Sequence, residues 1–198
     1  MFETRFGLEM GNREPSLIEP VSSLDDRVAR EWFRHCDLAF LAGQPTGTPP
    51  VWIFDLFRWG PHRWPISWAD LLVMPSHDCG AMAALATEIY QMRGVDARPI
   101  QLVLSFNEAA TEGWSALWRE TMLDYDWCGD GFAYHEATAI FDRLGRFKIW
   151  DPLGRFWLPL CGGKGYERIA AYRVPSVNCP SFFTSKAPWI DISSSEQK

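Results

Sequence analysis

The sequence lacks the cysteine patterns of disulfide-rich and zinc-binding proteins. Its five cysteines are an odd number, and no two of them form a Cys-x-x-Cys pair, so neither a fully paired disulfide framework nor a zinc ribbon is favoured. A metal site built from His35, Cys36, His77 and Cys79 is not favoured either, because a His-Cys pair of neighbours and a His-x-Cys pair lack the spacing of structural zinc ligands. We therefore expect no metal and no cofactor.

The chain also has little positive charge and no long apolar run. Lys and Arg number 19 against 25 Asp and Glu, a net charge of −6, whereas proteins that bind a phosphate backbone carry a cationic face. No segment reaches the length of about 18 apolar residues that spans a bilayer, and the first ten residues lack the apolar run of a signal peptide. We expect a cytoplasmic protein that binds neither nucleic acid nor membrane.

What is present is the composition of one folded domain. The chain has 198 residues, of which 47% are hydrophobic and 22% charged, and this balance is typical of a globular protein rather than of a disordered chain. We expect a single domain over residues 1–192, with residues 1–50 as a preamble of helix and loop. Residues 193–198 are predicted to form a disordered tail.

Hydrophobic periodicity predicts an α+β fold. Apolar positions three and four residues apart predict helices over residues 25–41, 80–93 and 108–122. In the first of these the apolar stripe includes Val28 and Trp32, with Phe33, Cys36 and Phe40 as further candidates. Alternating apolar positions predict strands over residues 98–106, 132–141 and 146–151. The last two strands are separated by a short connection that contains Gly145, which is typical of a hairpin.

Cys79 is distinguished from the other cysteines by its place at the start of the second helix. A helix N-terminus presents unsatisfied N–H groups and about half a unit of positive charge, and both favour the thiolate over the thiol. A lone cysteine on a helix face is more often a packing residue than a nucleophile. The interpretation of Cys79 therefore depends on what else lies near it. The remaining four are interpreted as core or loop thiols: Cys36, Cys128, Cys161 and Cys179.

A histidine and an aspartate interrupt the apolar pattern of the predicted hairpin. The position opposite His135 is predicted to fall between residues 151 and 154, which puts Asp151 at the edge of that window. An apolar sheet face rarely accepts an imidazole and a carboxylate without a reason. If the helix of Cys79 packs on the same face, the three side chains converge as a nucleophile, a general base and the group that orients the base.

These segments resemble the transglutaminase-like (papain-like) cysteine enzyme superfamily. The matching residues are Asp-Cys-Gly-Ala-Met-Ala at 78–83, Phe-Ala-Tyr-His-Glu-Ala at 132–137 and Ile-Trp-Asp-Pro-Leu at 149–153. The resemblance covers roughly residues 70–155. It implies an α+β fold in which the helix that bears the cysteine packs on an antiparallel sheet, and acyl transfer through a thioester. It assigns catalytic roles to Cys79, His135 and Asp151.

The sequence departs from parts of this superfamily. Papain-type proteases carry a Gln shortly before the nucleophile that helps to form the oxyanion hole, and residues 71–78 contain no Gln. Some transglutaminases use a Trp instead, so Trp68 is a candidate for this role, and His77 is close enough in sequence to line the site. The Arg- and Gly-rich signature of arylamine N-acetyltransferases is absent.

The predicted function is cysteine-dependent acyl transfer on a small molecule or a peptide. The acyl donor would be an amide, an ester or a thioester, including a carrier-bound thioester, with water or an amine as the acceptor. Abundant aromatic residues near the motifs favour an apolar or aromatic acyl group. Two alternatives remain open: a cysteine peptidase, and a catalytically inert binding module with the same fold.

Overall fold

The computed structural model describes residues 17–18, 21–60, 66–74, 76–121, 128–129, 131–158, 161–163, 166–174, 176–179, 182–184 and 189–192. The predicted tail at 193–198 lies outside these residues. The chain divides into two compact units, one made of residues 16–99 and 137–157 and the other of residues 1–15, 100–136 and 158–198. Among the described residues, no helix combines the length and the apolar character needed to cross a membrane.

The fold is mixed α+β. The helices are α1 (Leu24–Leu41), α2 (Trp52–Leu56), α3 (Trp68–Val73), α4 (Cys79–Met92) and α5 (Glu108–Thr121). The strands are β1 (Arg58–Trp59), β2 (Ser76–His77), β3 (Ala97–Ser105), β4 (Cys128–Gly129), β5 (Phe132–Phe141), β6 (Phe147–Asp151), β7 (Phe156–Leu158), β8 (Cys161–Gly163), β9 (Tyr166–Arg173), β10 (Ser176–Cys179), β11 (Phe182–Thr184) and β12 (Ile190–Asp191).

The unit formed by residues 16–99 and 137–157 is built around helix α4. The helix extends over the predicted residues, and all of residues 80–87 are buried. It ends as expected, since Arg93 is the C-cap and Gly94 has a φ of +76°, a left-handed conformation that suits glycine. The side chains packed around it include Phe33 of α1, Trp68 and Leu71 of α3, and Trp150 of β6.

The buried face of helix α1 differs from the predicted one. The helix itself is confirmed, but Val28 is 59% and Trp32 41% exposed, whereas Phe33 is fully buried. The buried face also carries Asp26 and Asp37. The prediction was wrong for Val28 and Trp32 and right for Phe33. The difference arises because this helix also buries two carboxylates, whose hydrogen-bond donors lie elsewhere in the chain.

Asp26 accepts hydrogen bonds from two separate segments. Its Oδ2 atom accepts from the backbone N–H of Val21 at 3.1 Å, and its Oδ1 atom accepts from the backbone N–H of Ala69, also at 3.1 Å. Its own backbone N–H donates to the N-cap Ser23. Ala69 lies in the first turn of α3, where backbone N–H groups lack partners within the helix. The Asp26 carboxylate accepts from one of these N–H groups and so holds α1 against α3.

The predicted hairpin of β5 and β6 is confirmed, and so is its register. Thr138 faces Trp150 and Phe141 faces Phe147 in an antiparallel pair. This register agrees with the predicted window of residues 151 to 154 for the position opposite His135. The connection is closed by Asp142, whose Oδ1 atom accepts from the backbone N–H groups of Leu144 and Arg146.

The other unit is largely antiparallel sheet. Strand β9 pairs with β3, β8 and β12, strand β4 pairs with the first part of β5, and β10 pairs with β11. Its apolar centre contains Val103, Ala170 and Ala171, against which Phe132 and Trp189 pack. Strands β3 and β5 each begin in one unit and end in the other.

Candidate functional site

Cys79 is the first residue of helix α4. The preceding residue, Asp78, is the N-cap, and its Oδ1 atom accepts from the backbone N–H of Ala81 at 2.9 Å. Cys79 is half-buried, whereas the eight residues after it are fully buried. The thiol therefore lies where the positive end of the helix dipole meets the protein surface, and this position favours a thiolate.

Trp68, the candidate for the oxyanion hole, and His77, the candidate for lining the site, are both buried in the core. His77 is fully buried, its Nε2 atom lies 3.2 Å from the carbonyl oxygen of Leu71, and its ring meets that of Phe57 edge-on at 4.2 Å. Trp68 begins α3, is 2% exposed and packs on Phe33 with ring centroids 5.7 Å apart. These contacts give both residues a packing role in the core.

Asp151 closes strand β6 in the same unit as Cys79. Its side chain is 6% exposed, and its Oδ1 atom accepts from the backbone N–H of Leu153 at 2.9 Å. The carboxylate is thus held by the turn that follows the strand. Such a fixed, buried carboxylate can accept a further hydrogen bond with a second lone pair or oxygen.

His135 lies on strand β5, in the part that belongs to the other unit. It is 9% exposed and stands between two buried polar residues, Tyr134 and Glu136. The Tyr134 hydroxyl donates to Oε1 of Glu136 at 2.6 Å, so these two side chains share one face of the strand. The side chain of His135 accordingly projects from the opposite face.

Helix α4 packs on β5 through Thr138. The Thr138 hydroxyl donates to the carbonyl oxygen of Ala83 at 3.1 Å, and Ile140 and Trp150 pack on the same core as the helix. The hairpin face in contact with α4 is thus that of Thr138, and not the face of Ala139 and Ile149 on which the predicted convergence was conditional. His135 belongs to the other unit, so the convergence of Cys79, His135 and Asp151 stays a prediction.

Of the other cysteines, Cys36 is the one whose side chain the structure describes. It is half-buried on α1, where burial, and secondly the negative charge of Asp37, raises the pKa of its thiol. It is therefore a weaker nucleophile near neutral pH than an ordinary thiol. For Cys128, Cys161 and Cys179 the structure describes the strands in which they lie and not their side chains.

A set of buried polar residues was missed from the sequence. Gln101, Tyr134, Glu136 and Arg173 are all at most 6% exposed and are joined by hydrogen bonds across three strands. The signal available in the sequence was the alternation of Tyr134 and Glu136 in one strand and the single polar residue Gln101 in an apolar run. Comparisons of the chain with protein-family models, with curated proteins and with solved structures found no match in any of the three.

Proposed function

We propose that this protein is a cysteine-dependent acyltransferase or amidohydrolase of transglutaminase-like type, with Cys79 as the nucleophile. The observation that carries the proposal is the position of Cys79, half-buried at the capped start of a 14-residue helix whose next eight residues are buried. The helix lowers the cost of forming a thiolate. Partial exposure gives a substrate carbonyl access to the sulfur.

His135 is the proposed general base and Asp151 the proposed orienting group. Both are buried polar residues in strands whose neighbours at alternate positions are apolar, among them Ala137 and Ile149. A buried imidazole and a buried carboxylate are costly to fold, so their presence calls for a role beyond packing. Their order along the chain after Cys79 is that of the superfamily which the sequence resembles.

The reaction proceeds in two steps. His135 takes the proton of the Cys79 thiol, and the sulfur attacks the carbonyl carbon of an amide, ester or thioester. The bond from carbon to the leaving group breaks, the leaving group takes the proton from His135, and an acyl group remains on the sulfur. Water or an amine then attacks the thioester, gives a proton to His135 and releases the product, while the sulfur departs as thiolate and recovers its proton.

The backbone N–H of Cys79 is the proposed donor to the developing oxyanion. It belongs to the first turn of α4, where Asp78 accepts from the backbone N–H of Ala81, and a helix N-terminus favours negative charge that develops beside it. This donor needs no side chain from Trp68 or from His77. We expect the acyl donor to be a small molecule or a peptide with an apolar or aromatic acyl group.

Trapping of the acyl-enzyme tests the proposal. The protein is incubated with a set of aromatic and aliphatic thioesters, esters and amides, and its intact mass is measured. We expect a mass increase equal to one acyl group, reversed by hydroxylamine, present in Cys36→Ala and absent in Cys79→Ala. Circular dichroism shows whether Cys79→Ala keeps its fold. An adduct that persists in folded Cys79→Ala contradicts the proposal, as does the lack of any adduct across the set.

Hydrolysis and amine capture are separated by the fate of the acyl group. With a trapped acyl donor identified, the products formed with and without added amine are compared. Amide product in excess of free acid identifies an acyltransferase. Free acid alone, from a peptide donor, identifies a peptidase instead.

A further inference from the structure

The buried polar residues of strands β3, β5 and β9 form one continuous hydrogen-bonded chain. Arg173 Nε donates to Gln101 Oε1 at 2.7 Å, Gln101 Nε2 donates to the Tyr134 hydroxyl at 2.7 Å, and that hydroxyl donates to Glu136 Oε1 at 2.6 Å. Gln101 and Arg173 are direct partners in the pairing of β3 with β9. We call these four residues the polar chain.

The direction of every hydrogen bond in the polar chain is fixed by its two ends. A guanidinium can only donate, so the carboxamide oxygen of Gln101 accepts and its nitrogen points to Tyr134. The hydroxyl of Tyr134 uses its oxygen to accept from Gln101, and its single proton goes to Glu136. The carboxylate of Glu136 therefore accepts the bond from Tyr134, and the direction of each of these three hydrogen bonds is determined.

This arrangement fixes the strand on both sides of His135. Tyr134 and Glu136 are the residues immediately before and after it, and the bond between their side chains requires both to lie on one face. The Cα–Cβ bond of His135 is thereby directed to the other face. A buried hydrogen-bonded network restrains the backbone more tightly than apolar packing, which tolerates small shifts.

We propose that the polar chain is a positioning device for His135. Gln101, Tyr134, Glu136 and Arg173 touch no reacting atom in this proposal; they hold the backbone of β5 so that the imidazole keeps one orientation. The inference rests on the proposed role of His135. It predicts that breaking the chain reduces reactivity by misplacing the base, and such misplacement costs up to about 100-fold in rate.

The test replaces the central hydroxyl. Tyr134→Phe removes one oxygen atom and with it the hydrogen bonds to Gln101 and Glu136, while the aromatic ring is kept. Tyr90→Phe is the matched control, because Tyr90 is an equally buried tyrosine whose hydroxyl has no hydrogen-bond partner among the described residues. A second variant, Gln101→Glu, keeps the acceptor for Arg173 and removes the donor to Tyr134.

The first measurement is the NMR signal of the His135 ring, which does not depend on any activity. The chain has four histidines, and the His135 Cε1–H signal is identified by its loss in His135→Gln. In Tyr134→Phe and Gln101→Glu we expect this signal to shift or broaden while those of the other histidines stay in place. Tyr90→Phe should leave all four unchanged.

The second measurement is the rate at which iodoacetamide alkylates Cys79 at neutral pH. We expect both polar-chain variants to react more slowly than the wild type and Tyr90→Phe to react equally fast. An unchanged His135 signal in Tyr134→Phe and Gln101→Glu overturns the inference. If Cys79 is alkylated as fast in His135→Gln as in the wild type, the proposed role of His135 as base is wrong. The NMR signal of His135 still decides whether the polar chain positions its ring.

Discussion

Thr87 of helix α4 and Thr138 of strand β5 meet through their hydroxyl oxygens at 3.2 Å, in a place where both side chains are buried. The proton of Thr138 goes to the carbonyl oxygen of Ala83, so Thr87 is the donor of the bond between the two hydroxyls. This pair holds α4 against the part of β5 that carries Thr138.

Breaking the pair from the strand side should destabilise the fold. Thr138→Val keeps the volume and leaves the Thr87 hydroxyl without its acceptor in the core, which costs about 1–3 kcal/mol of unfolding free energy. Urea denaturation measures the loss. Replacing both residues by Val should cost less than the sum of the two single changes, because no hydroxyl is then stranded. Additive losses would show that the two hydroxyls do not interact.

The ion pair between Asp37 and Arg93 should contribute more to the unfolding free energy than the pair of threonines does. Arg93 Nε donates to Asp37 Oδ2 at 2.8 Å, the guanidinium also donates to the carbonyl of Thr46, and Trp52 donates to Asp37 Oδ1. Both charged side chains are at most 5% exposed. Arg93→Met leaves the carboxylate buried without its cation, and we expect a loss of about 3–5 kcal/mol in unfolding free energy.

The surface ion pair of Arg34 and Glu31 is the matched control for Arg93→Met. Both partners are about half exposed, so Arg34→Met should cost less than about 1 kcal/mol in the same denaturation experiment. Equal losses in the two variants would contradict the importance given to burial of the Asp37–Arg93 pair.

Glu88 should make stability fall as the pH rises. Burial raises its pKa above the usual 4.5, and the nearby positive charge of Arg30 opposes this only in part. The folded state therefore holds the proton more tightly than the unfolded chain. The stability that this tighter proton binding adds to the folded state is fully present below pH 4.5 and is lost as the pH rises through the folded-state pKa of Glu88.

Replacement of Glu88 by Gln should consequently stabilise the protein at neutral pH. The gain should shrink as the pH falls and vanish below the pKa of the unfolded chain, as followed by thermal unfolding at a series of pH values. Glu31→Gln, at an exposed position, serves as the control. If Glu88→Gln is only as stable as the wild type at pH 7, the expected rise in the pKa of Glu88 is contradicted.

Cys79 should be alkylated faster than Cys36. The helix start favours the thiolate of Cys79, whereas burial and Asp37 raise the pKa of Cys36. Only the thiolate reacts rapidly, so we expect selective labelling of Cys79 over Cys36 at pH 7. Peptide mass spectrometry after brief iodoacetamide treatment measures it. Equal labelling of the two thiols would remove the main support for an activated nucleophile.

Local patterns predicted the elements around the candidate site. Helix α4 and the hairpin of β5 and β6 were found because their periodicity, the stop at Gly94 and the turn at Gly145 all agree. The buried face of α1 was not found, because Asp26 and Asp37 are buried by partners distant in sequence. Strand β9 was not predicted, since its short apolar segment follows glycines that give no clear periodicity.

The polar chain shows the same limit in the sheet. Gln101 and Arg173 are 72 residues apart, and no local sequence pattern predicts that they are paired in the sheet. The predicted catalytic roles of Cys79, His135 and Asp151 stay predictions, since they concern reactivity rather than architecture.

The carboxylate of Asp26 has a consequence for how the helices open. The backbone N–H of Ala69, in the short helix α3, donates to a side chain carried by α1. A six-residue helix would fray rapidly by itself. Deuterium should nevertheless enter Ala69 only when α1 itself detaches, so the two helices should exchange as one cooperative unit, and the slow amide in α3 reports on the opening of α1.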